Sequence, residues 1–227
     1  MFFWDPTMII LIPAIILSFY AQMKVSSTFK KYSQVASISG RNGSQLARML
    51  LDRAGLSQVR VEHIAGQLSD HYDPRDQVLR LSDSVYGSNS VAALGVAAHE
   101  VGHAIQHGQS YAPLILRNSI VPVVNFASMA SFPLLLIGLF ISRPLAILGV
   151  ILFTAVVVFQ LITLPVEFNA SNRAVTLLSD GGYIYGDEIS AVKKVLGAAA
   201  LTYVAAALVS LLNLLRFLMI LGFNRDE

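Results

Sequence analysis

The sequence predicts a mainly α integral membrane protein, in which four transmembrane helices carry a small α+β unit of short strands and one long helix. Two observations lead to this fold class. Hydrophobic residues make up 55% of the 227 residues and charged residues only 13%, whereas a soluble domain carries about 25% charged residues. The charges are also unevenly spaced, and four runs of 18 to 25 residues contain none. A water-soluble globule and a disordered chain are therefore both excluded.

Each uncharged run is long enough to cross a bilayer as a helix, which takes about 20 apolar residues, with a range of about 17–25. The positive-inside rule assigns the side richer in Lys and Arg to the cytoplasm. Segments 24–118 and 166–195 then lie in the cytoplasm and contain thirteen of the sixteen Lys and Arg residues. The first span has no basic residue before it, so we expect a retained anchor rather than a secretory signal. The predicted transmembrane helices are Phe3–Met23, Ser119–Ile141, Leu145–Pro165 and Leu196–Phe223.

These spans divide the chain into five predicted segments. Only Ser142, Arg143 and Pro144 separate the second span from the third, so these two spans form a tight hairpin that returns the chain to the cytoplasmic side. The segments are an N-terminal transmembrane anchor (1–23), a cytoplasmic α+β segment (24–118), a transmembrane hairpin (119–165), a second cytoplasmic segment (166–195), and the fourth transmembrane helix with a short tail (196–227).

Local patterns predict a helix and two strands in the first cytoplasmic segment. Ser44 is a candidate N-cap for the helix. Alternating apolar and polar residues predict strands at 59–62 and 78–81, with a turn at 69–74 between them. Val78–Ser82 is our candidate for an open sheet edge to which an extended peptide could add as a further strand.

A long helix is expected to follow Ser90, and it contains an H-E-x-x-H pattern, His99-Glu100-Val101-Gly102-His103. Residues i and i+4 lie on one helix face, about 6 Å apart along the axis, so the two histidines can bind one zinc ion. Glu100 can then serve as general base toward the zinc-activated water. The sequence has no cysteine, so any metal must be held by nitrogen and oxygen donors.

A catalytic zinc site needs a third protein ligand and an open fourth position. His107 lies about 12 Å along the helix axis from His99, too far for a continuous helix to bring both to one ion. Glu167 is the first charged residue after the third span, and the hairpin returns it to the face that holds the histidines. We therefore predict a site of two histidines and one glutamate, formed by His99, His103 and Glu167.

The pairing of H-E-x-x-H with Glu167-Phe168-Asn169-Ala170 resembles the integral-membrane gluzincins. In the HtpX-like and CAAX-prenyl-protease families the second motif reads E-[FY]-x-A-D. This sequence departs from that pattern at Ser171, which can perform the role of the aspartate only in part.

A closer resemblance rests on four stretches of the sequence, which are Asp70–Pro74, Val78–Ser82, Gly95–Glu100 and Leu164–Ser171. Through them the chain is more similar to the YugP-type family of bacterial membrane zinc metallopeptidases. The resemblance covers most of the chain, including the order of the spans. It implies a neutral zinc peptidase of the bacterial plasma membrane with a small gluzincin-like catalytic unit, in which His99, His103 and Glu167 are zinc ligands and Glu100 is the catalytic base.

The expected function is that of a membrane-anchored zinc-dependent endopeptidase with its site on the cytoplasmic face. Its expected partners are the lipid bilayer and, as substrate, a peptide or a membrane protein. The sequence is also compatible with an oligomer or with a regulatory membrane partner. Nucleic acid is excluded, because the net charge is only +2 and no basic stripe is present.

Two alternatives remain open at this point. A site-2-type intramembrane protease would take its third ligand from Asp180 in Leu178-Ser179-Asp180-Gly181. A non-catalytic membrane scaffold would hold a structural metal closed by four protein ligands. Peptide hydrolysis also needs a residue that donates a hydrogen bond to the oxyanion of the tetrahedral intermediate, and the sequence does not assign it. Arg173 is one candidate, although it could instead pair with Asp73. The other candidate donors are His71, Tyr72, Tyr86, His107 and Tyr111.

Overall fold

The computed structural model describes residues 6–223. Residues 3–5 of the predicted first span and residues 224–227 of the predicted tail lie outside this range. The elements in chain order are a 3-10 helix (Pro6–Leu11), α1 (Ile12–Tyr32), α2 (Gly43–Arg53), β1 (Arg60–Ile64), β2 (His71–Asp73), β3 (Val78–Ser82), α3 (Asp83–Tyr86), α4 (Val91–Gly108), α5 (Ala112–Ile141), α6 (Arg143–Asp180) and α7 (Asp187–Phe223).

Four helical stretches are long and apolar enough to cross a membrane, which confirms the predicted fold class. They extend beyond the predicted spans, because an uncharged run marks only the apolar part of a helix while the backbone hydrogen bonds continue into charged residues. In particular, α6 carries Glu167 on the same helix as the third span. The four stretches are Pro6–Tyr32, Ala112–Ile141, Arg143–Asp180 and Asp187–Gly222.

The chain packs into two compact units, each with its own core. These units are defined by contacts within the protein, whereas the five predicted segments are defined by the bilayer. The division into five segments therefore stays a prediction. The first unit comprises the described residues up to Ala21, Leu116–Pro165 and the described residues from Thr202 onward, and the second comprises Gln22–Ile115 and Val166–Leu201.

The first unit contains the predicted hairpin of α5 and α6. Only Ser142 separates these two helices. A side chain at Gly138 would collide with the backbone of Ala146, so the glycine permits the helices to approach closely. Leu135 and Phe217 are buried beside this contact in the core of the unit.

The second unit contains a three-stranded sheet in the order β1-β3-β2. β3 is the central strand, parallel to β1 and antiparallel to β2. The prediction that Val78–Ser82 is an edge strand is therefore wrong, because both of its edges are hydrogen-bonded. The prediction of a turn at 69–74 is wrong for His71–Asp73, since a strand of three residues is too short to show alternation in the sequence.

The start of α2 also differs from the prediction. Its N-cap is Asn42 rather than Ser44. The Asn42 side chain accepts a hydrogen bond from the Gln45 backbone N–H at 2.9 Å, and the Gln45 side chain accepts one from the Asn42 N–H at 3.2 Å. This reciprocal capping box satisfies two backbone donors at once, which a serine cap two residues later would not achieve.

The long helix predicted after Ser90 is confirmed as α4. The Ser90 hydroxyl caps it by accepting a hydrogen bond from the Ala93 N–H at 3.2 Å. α4 is buried on most of its surface and shares the core of the second unit with Leu46 of α2 and Leu79 of β3. The H-E-x-x-H motif therefore lies on a helix held by packing from several elements.

Candidate metal centre

α4 and α6 bring three donor side chains together. The Glu167 Oε2 atom lies 3.3 Å from His99 Nε2 and 3.6 Å from His103 Nε2. One ligand atom from each of the three residues lies within 4.8 Å of the other two. Among residues 6–223, these three form the one group of histidines and acidic residues arranged to hold a metal ion.

The donor set and its spacing fit zinc. Two ligands at about 2.0–2.1 Å from a tetrahedral zinc ion lie about 3.3–3.4 Å apart, close to the two carboxylate-to-imidazole distances. The imidazole rings of His99 and His103 are nearly perpendicular, at 88°, so their faces do not stack and block the space between them. Two neutral imidazoles and one carboxylate would reduce the charge of a bound Zn²⁺ to +1.

Gly102, between the two histidines, sets the distance between the two helices. A Cβ atom at this position would lie 2.8 Å from the carbonyl oxygen of Ala170 and 3.2 Å from its Cα. Because such contacts are with backbone, no side-chain movement could relieve them. The hydrogen atom of Gly102 therefore allows α6 to carry Glu167 to the histidines.

Ser171 contacts the far side of the His99 ring. Its Oγ atom lies 3.2 Å from His99 Nδ1. If Nδ1–H donates to this oxygen, the lone pair of Nε2 is directed at the proposed metal position. The structure thus places Ser171 where an outer partner of a histidine ligand is expected, with a neutral hydroxyl in place of the aspartate of HtpX-like enzymes.

Gln106 makes the corresponding contact to His103 and was missed by the sequence analysis. It is fully buried, and its Oε1 atom lies 3.0 Å from His103 Nδ1. Its Nε2 group donates to the Val166 carbonyl and to Asn169 Oδ1, each at 2.9 Å. A polar residue three positions after the second histidine, within an apolar helix, was the signal available in the sequence.

Arg173 extends this network instead of pairing with Asp73. It donates to Asn169 Oδ1 at 2.7 Å and to Gln109 Oε1 at 2.8 Å. The proposed pairing with Asp73 is wrong, because Asp73 forms an ion pair with Arg80 at 3.3 Å. Arg173 therefore links α6 to the end of α4.

The electrostatic environment of His103 favours a cation. Burial lowers the pKa of His103, but the hydrogen bond with Glu167 and the negative charges of Glu100 and Glu167 together raise the pKa above its ordinary value. A field that stabilises a proton on this ring also stabilises a metal cation at the same position. Glu100 is itself buried, with 8% of its surface exposed.

Two other residues considered from the sequence lie elsewhere. His107 Nδ1 is 2.9 Å from the hydroxyl of Tyr72, so this histidine connects α4 to β2. Asp180, the third ligand of the site-2-type alternative, is exposed at the end of α6 and accepts a hydrogen bond from Ser179. Neither residue belongs to the group of three donors.

Comparisons with known proteins identify the family of this chain. The chain is 57% identical over 218 residues, covering 95% of its length and 96% of the relative, to "Putative membrane protease YugP" of Bacillus subtilis (strain 168). No solved structure matches. Residues 7–222 match the family described as "Putative neutral zinc metallopeptidase". This confirms the resemblance found in the sequence and zinc as the cofactor, and the chain belongs to this family of membrane zinc peptidases.

Proposed function

We propose that this protein is a membrane-anchored zinc endopeptidase in which His99, His103 and Glu167 bind the metal and Glu100 is the general base. The observation that carries the proposal is the convergence of the three donors from α4 and α6, with a buried carboxylate one residue after the first histidine. The family membership supports peptide hydrolysis as the reaction.

The roles of the residues follow from their chemistry. Zinc bound by the three ligands would supply a Lewis acid that lowers the pKa of water and polarises a carbonyl oxygen. Glu100 accepts a proton from the attacking water as the water oxygen bonds to the peptide carbonyl carbon. Glu100 then delivers that proton to the amine nitrogen as the carbon–nitrogen bond breaks.

Ser171 and Gln106 act as positioning residues in this proposal. Each contacts the Nδ1 atom of one histidine, which keeps the Nε2 lone pair available for the metal. The fully buried position of Gln106 restricts rotation of the His103 ring. The proposed ligands are thus held in place before the metal arrives.

We propose membrane or membrane-proximal proteins as substrates, cleaved on the cytoplasmic side. Glu167 lies two residues after the predicted end of the third span, which supports a site near the bilayer surface. The excess of Lys and Arg in the segments that contain the site supports the cytoplasmic orientation.

β2 replaces β3 as our candidate strand to align an extended peptide. It is an edge strand of the sheet, and Tyr72 and His107 link it to α4.

The test compares purified wild type with Glu100→Gln, both in detergent and both measured for zinc by elemental mass spectrometry. The substrates are unfolded casein and a solubilised bacterial membrane fraction, and new N-termini are identified by mass spectrometry. We expect about one zinc per chain in both proteins and cleavage by wild type only. Equal cleavage by both, or cleavage of neither substrate by metal-loaded wild type, would contradict the proposal.

A second pair of variants tests the ligand assignment. Glu167→Ala is expected to lose most of its zinc, whereas Asp180→Ala is expected to keep it. The reverse result would favour the site-2-type alternative. Full zinc in both variants would favour the scaffold alternative with other ligands.

A further inference from the structure

A groove lined by lysines lies between α1 and α7 in the second unit. Its volume is about 600 Å³. Lys24 and Lys31 of α1 line it from one side, seven residues apart and hence on one helix face. Lys194 of α7 lines it from the other side. This groove, which we call the lysine groove, involves none of the residues of the candidate metal centre.

The lysine groove has a net positive charge among the described residues. Within residues 6–223, no carboxylate forms an ion pair with Lys24, Lys31 or Lys194. All three side chains are exposed. The Lys31 ammonium group lies 5.4 Å from the centre of the Tyr32 ring, which holds it over an aromatic face. The groove thus offers three ammonium groups to an anion.

The sequence places two of these ammonium groups, those of Lys24 and Lys194, at the ends of predicted spans and hence at the edge of the bilayer. Lys24 is the first charged residue after the uncharged run 6–23, and Lys194 is the last before the uncharged run 195–215. The two helices enter the predicted spans directly beyond these lysines. Because the long apolar stem of lysine lets the charge reach the headgroup layer, lipid phosphates are the anions nearest to the groove.

The wall of the groove on the membrane side is apolar and open. Gly197, Ala198 and Leu201 follow Lys194 along α7 and line the same groove. Apart from the adjoining part of its own helix, a Cβ atom at Gly197 would meet no atom within 4 Å, so this glycine leaves free space beside the helix. The open strip runs toward the uncharged part of α7 and could receive an acyl chain.

We infer that the lysine groove binds an anionic glycerophospholipid, with its phosphate headgroup among Lys24, Lys31 and Lys194 and an acyl chain beside Gly197. Two observations distinguish this from general attraction to a charged membrane. The lysines converge on one cavity from two helices, and the cavity continues along an apolar wall of Gly197, Ala198 and Leu201, which belong to the predicted fourth span. A free inorganic phosphate would bind the lysines but would make no contact with the apolar wall.

The chain offers a closely matched control. Lys30 and Lys193 are the sequence neighbours of Lys31 and Lys194, lie on the same two helices and are also exposed, but they do not line the groove. The double variant Lys31→Gln/Lys194→Gln therefore removes the same charge from the same depth as Lys30→Gln/Lys193→Gln. A difference between these two proteins reports on the groove itself.

The experiment titrates the full chain, purified in non-ionic detergent, with phosphatidylglycerol and with phosphatidylcholine of identical acyl chains. Native mass spectrometry counts the bound lipids. An anionic lipid gains about fivefold in affinity for each lysine near it, so the groove variant should bind phosphatidylglycerol at least tenfold more weakly than wild type. The control variant should change less than threefold, and phosphatidylcholine should bind weakly to all three proteins. Equal loss in the groove and control variants would overturn the inference.

A second variant tests the apolar wall and does not alter charge. Gly197→Leu should fill the strip beside α7 and weaken phosphatidylglycerol binding by at least threefold, while zinc content stays at the wild-type value and reports a folded protein. Unchanged lipid binding in this variant would overturn the acyl-chain assignment. Inorganic phosphate at millimolar concentration should not displace the lipid, and full displacement would assign the lysines to a soluble anion instead.

Discussion

Gly102 and Ala170 are in backbone contact: a Cβ atom at residue 102 would lie 2.8 Å from the Ala170 carbonyl oxygen. Gly102 lies between the two histidines of α4, and Ala170 lies one turn after Glu167 on α6. The distance between the proposed ligands therefore depends on a position that carries no ligand. Because protein interiors are closely packed, a larger residue at position 102 would displace the neighbouring groups directly.

The first prediction concerns this contact. Gly102→Ala should push α6 away from α4, at a cost of about 1–3 kcal/mol in stability for an overpacked site, and should lower zinc content. Gly95→Ala is the control on the same helix, because the atoms nearest to its Cβ would belong to the Val192 side chain, the closest of them at an ordinary contact distance of 3.4 Å. Thermal unfolding in detergent and zinc per chain measure both effects. Equal zinc and equal stability in the two variants would contradict the proposed role of Gly102.

The second prediction concerns the partner of His99. Ser171→Ala should weaken zinc binding about tenfold, because loss of an outer partner typically costs 10–100-fold in metal affinity. Ser171→Asp should bind zinc at least as tightly as wild type, since a carboxylate accepts the Nδ1–H hydrogen bond more strongly than a hydroxyl. Zinc affinity is measured by competition with a chelator. Ser179→Ala serves as control, because this half-buried serine lies on the same helix and donates to Asp180 instead of contacting a histidine. Wild-type affinity in Ser171→Ala would refute the role.

The third prediction concerns Gln106. Gln106→Met should reduce zinc affinity about 10–100-fold and destabilise the protein by about 1–3 kcal/mol, because His103 Nδ1 and Asn169 Oδ1 lose a buried hydrogen-bond partner. Gln109→Met removes a similar side chain from an exposed position that contacts Arg173, and its effect should be smaller on both measures. If chelator competition and unfolding gave the opposite order, the role assigned to Gln106 would be wrong.

The fourth prediction concerns acid stability at the start of α3. The hydrogen bond from the Gly66 N–H, at 2.8 Å, and the neighbouring His63, at 2.6 Å, hold the pKa of Asp83 below its ordinary value. A lowered pKa in the folded state means that Asp83 stabilises the fold above pH about 4, the pKa of an unperturbed aspartate, and that this contribution is lost as the pH falls further.

Asp83→Asn should therefore melt at a lower temperature than wild type near neutral pH, and the difference should shrink as the pH falls below about 4. The effect should be small, because both side chains of the pair are exposed and screened by solvent. Asp180→Asn is the control. A difference between Asp83→Asn and wild type that grows toward acid pH would show that the sign is wrong.

Several parts of the fold and of the candidate site follow from local sequence. The uncharged runs identify the spans, because the apolar length of a helix must match the bilayer whatever lies next to it. The spacing of His99 and His103 places them on one face of any helix, and Ser90 marks the start of that helix. These predictions needed no knowledge of which residues pack together.

The parts that sequence reasoning missed depend on partners distant in the chain. β3 is central because β1 and β2 pair with its two edges, and a strand's own pattern does not identify its neighbours. Asp73 pairs with Arg80 across two strands, while Arg173 reaches Asn169 and Gln109 instead. Each of these choices is made by packing rather than by residue type.

The membrane spans and a pair of histidines suited to zinc, with a glutamate to join them, follow from the residues alone, because hydropathy and helical spacing are local properties. How those side chains are held depends on contacts between distant parts of the chain. Gln106 reaches His103 and α6 at the same time, and Gly102 lets Glu167 approach, because α4 and α6 make contacts between residues that are sixty or more positions apart in the chain. Such contacts arise from the close packing of two helices, which no single segment encodes.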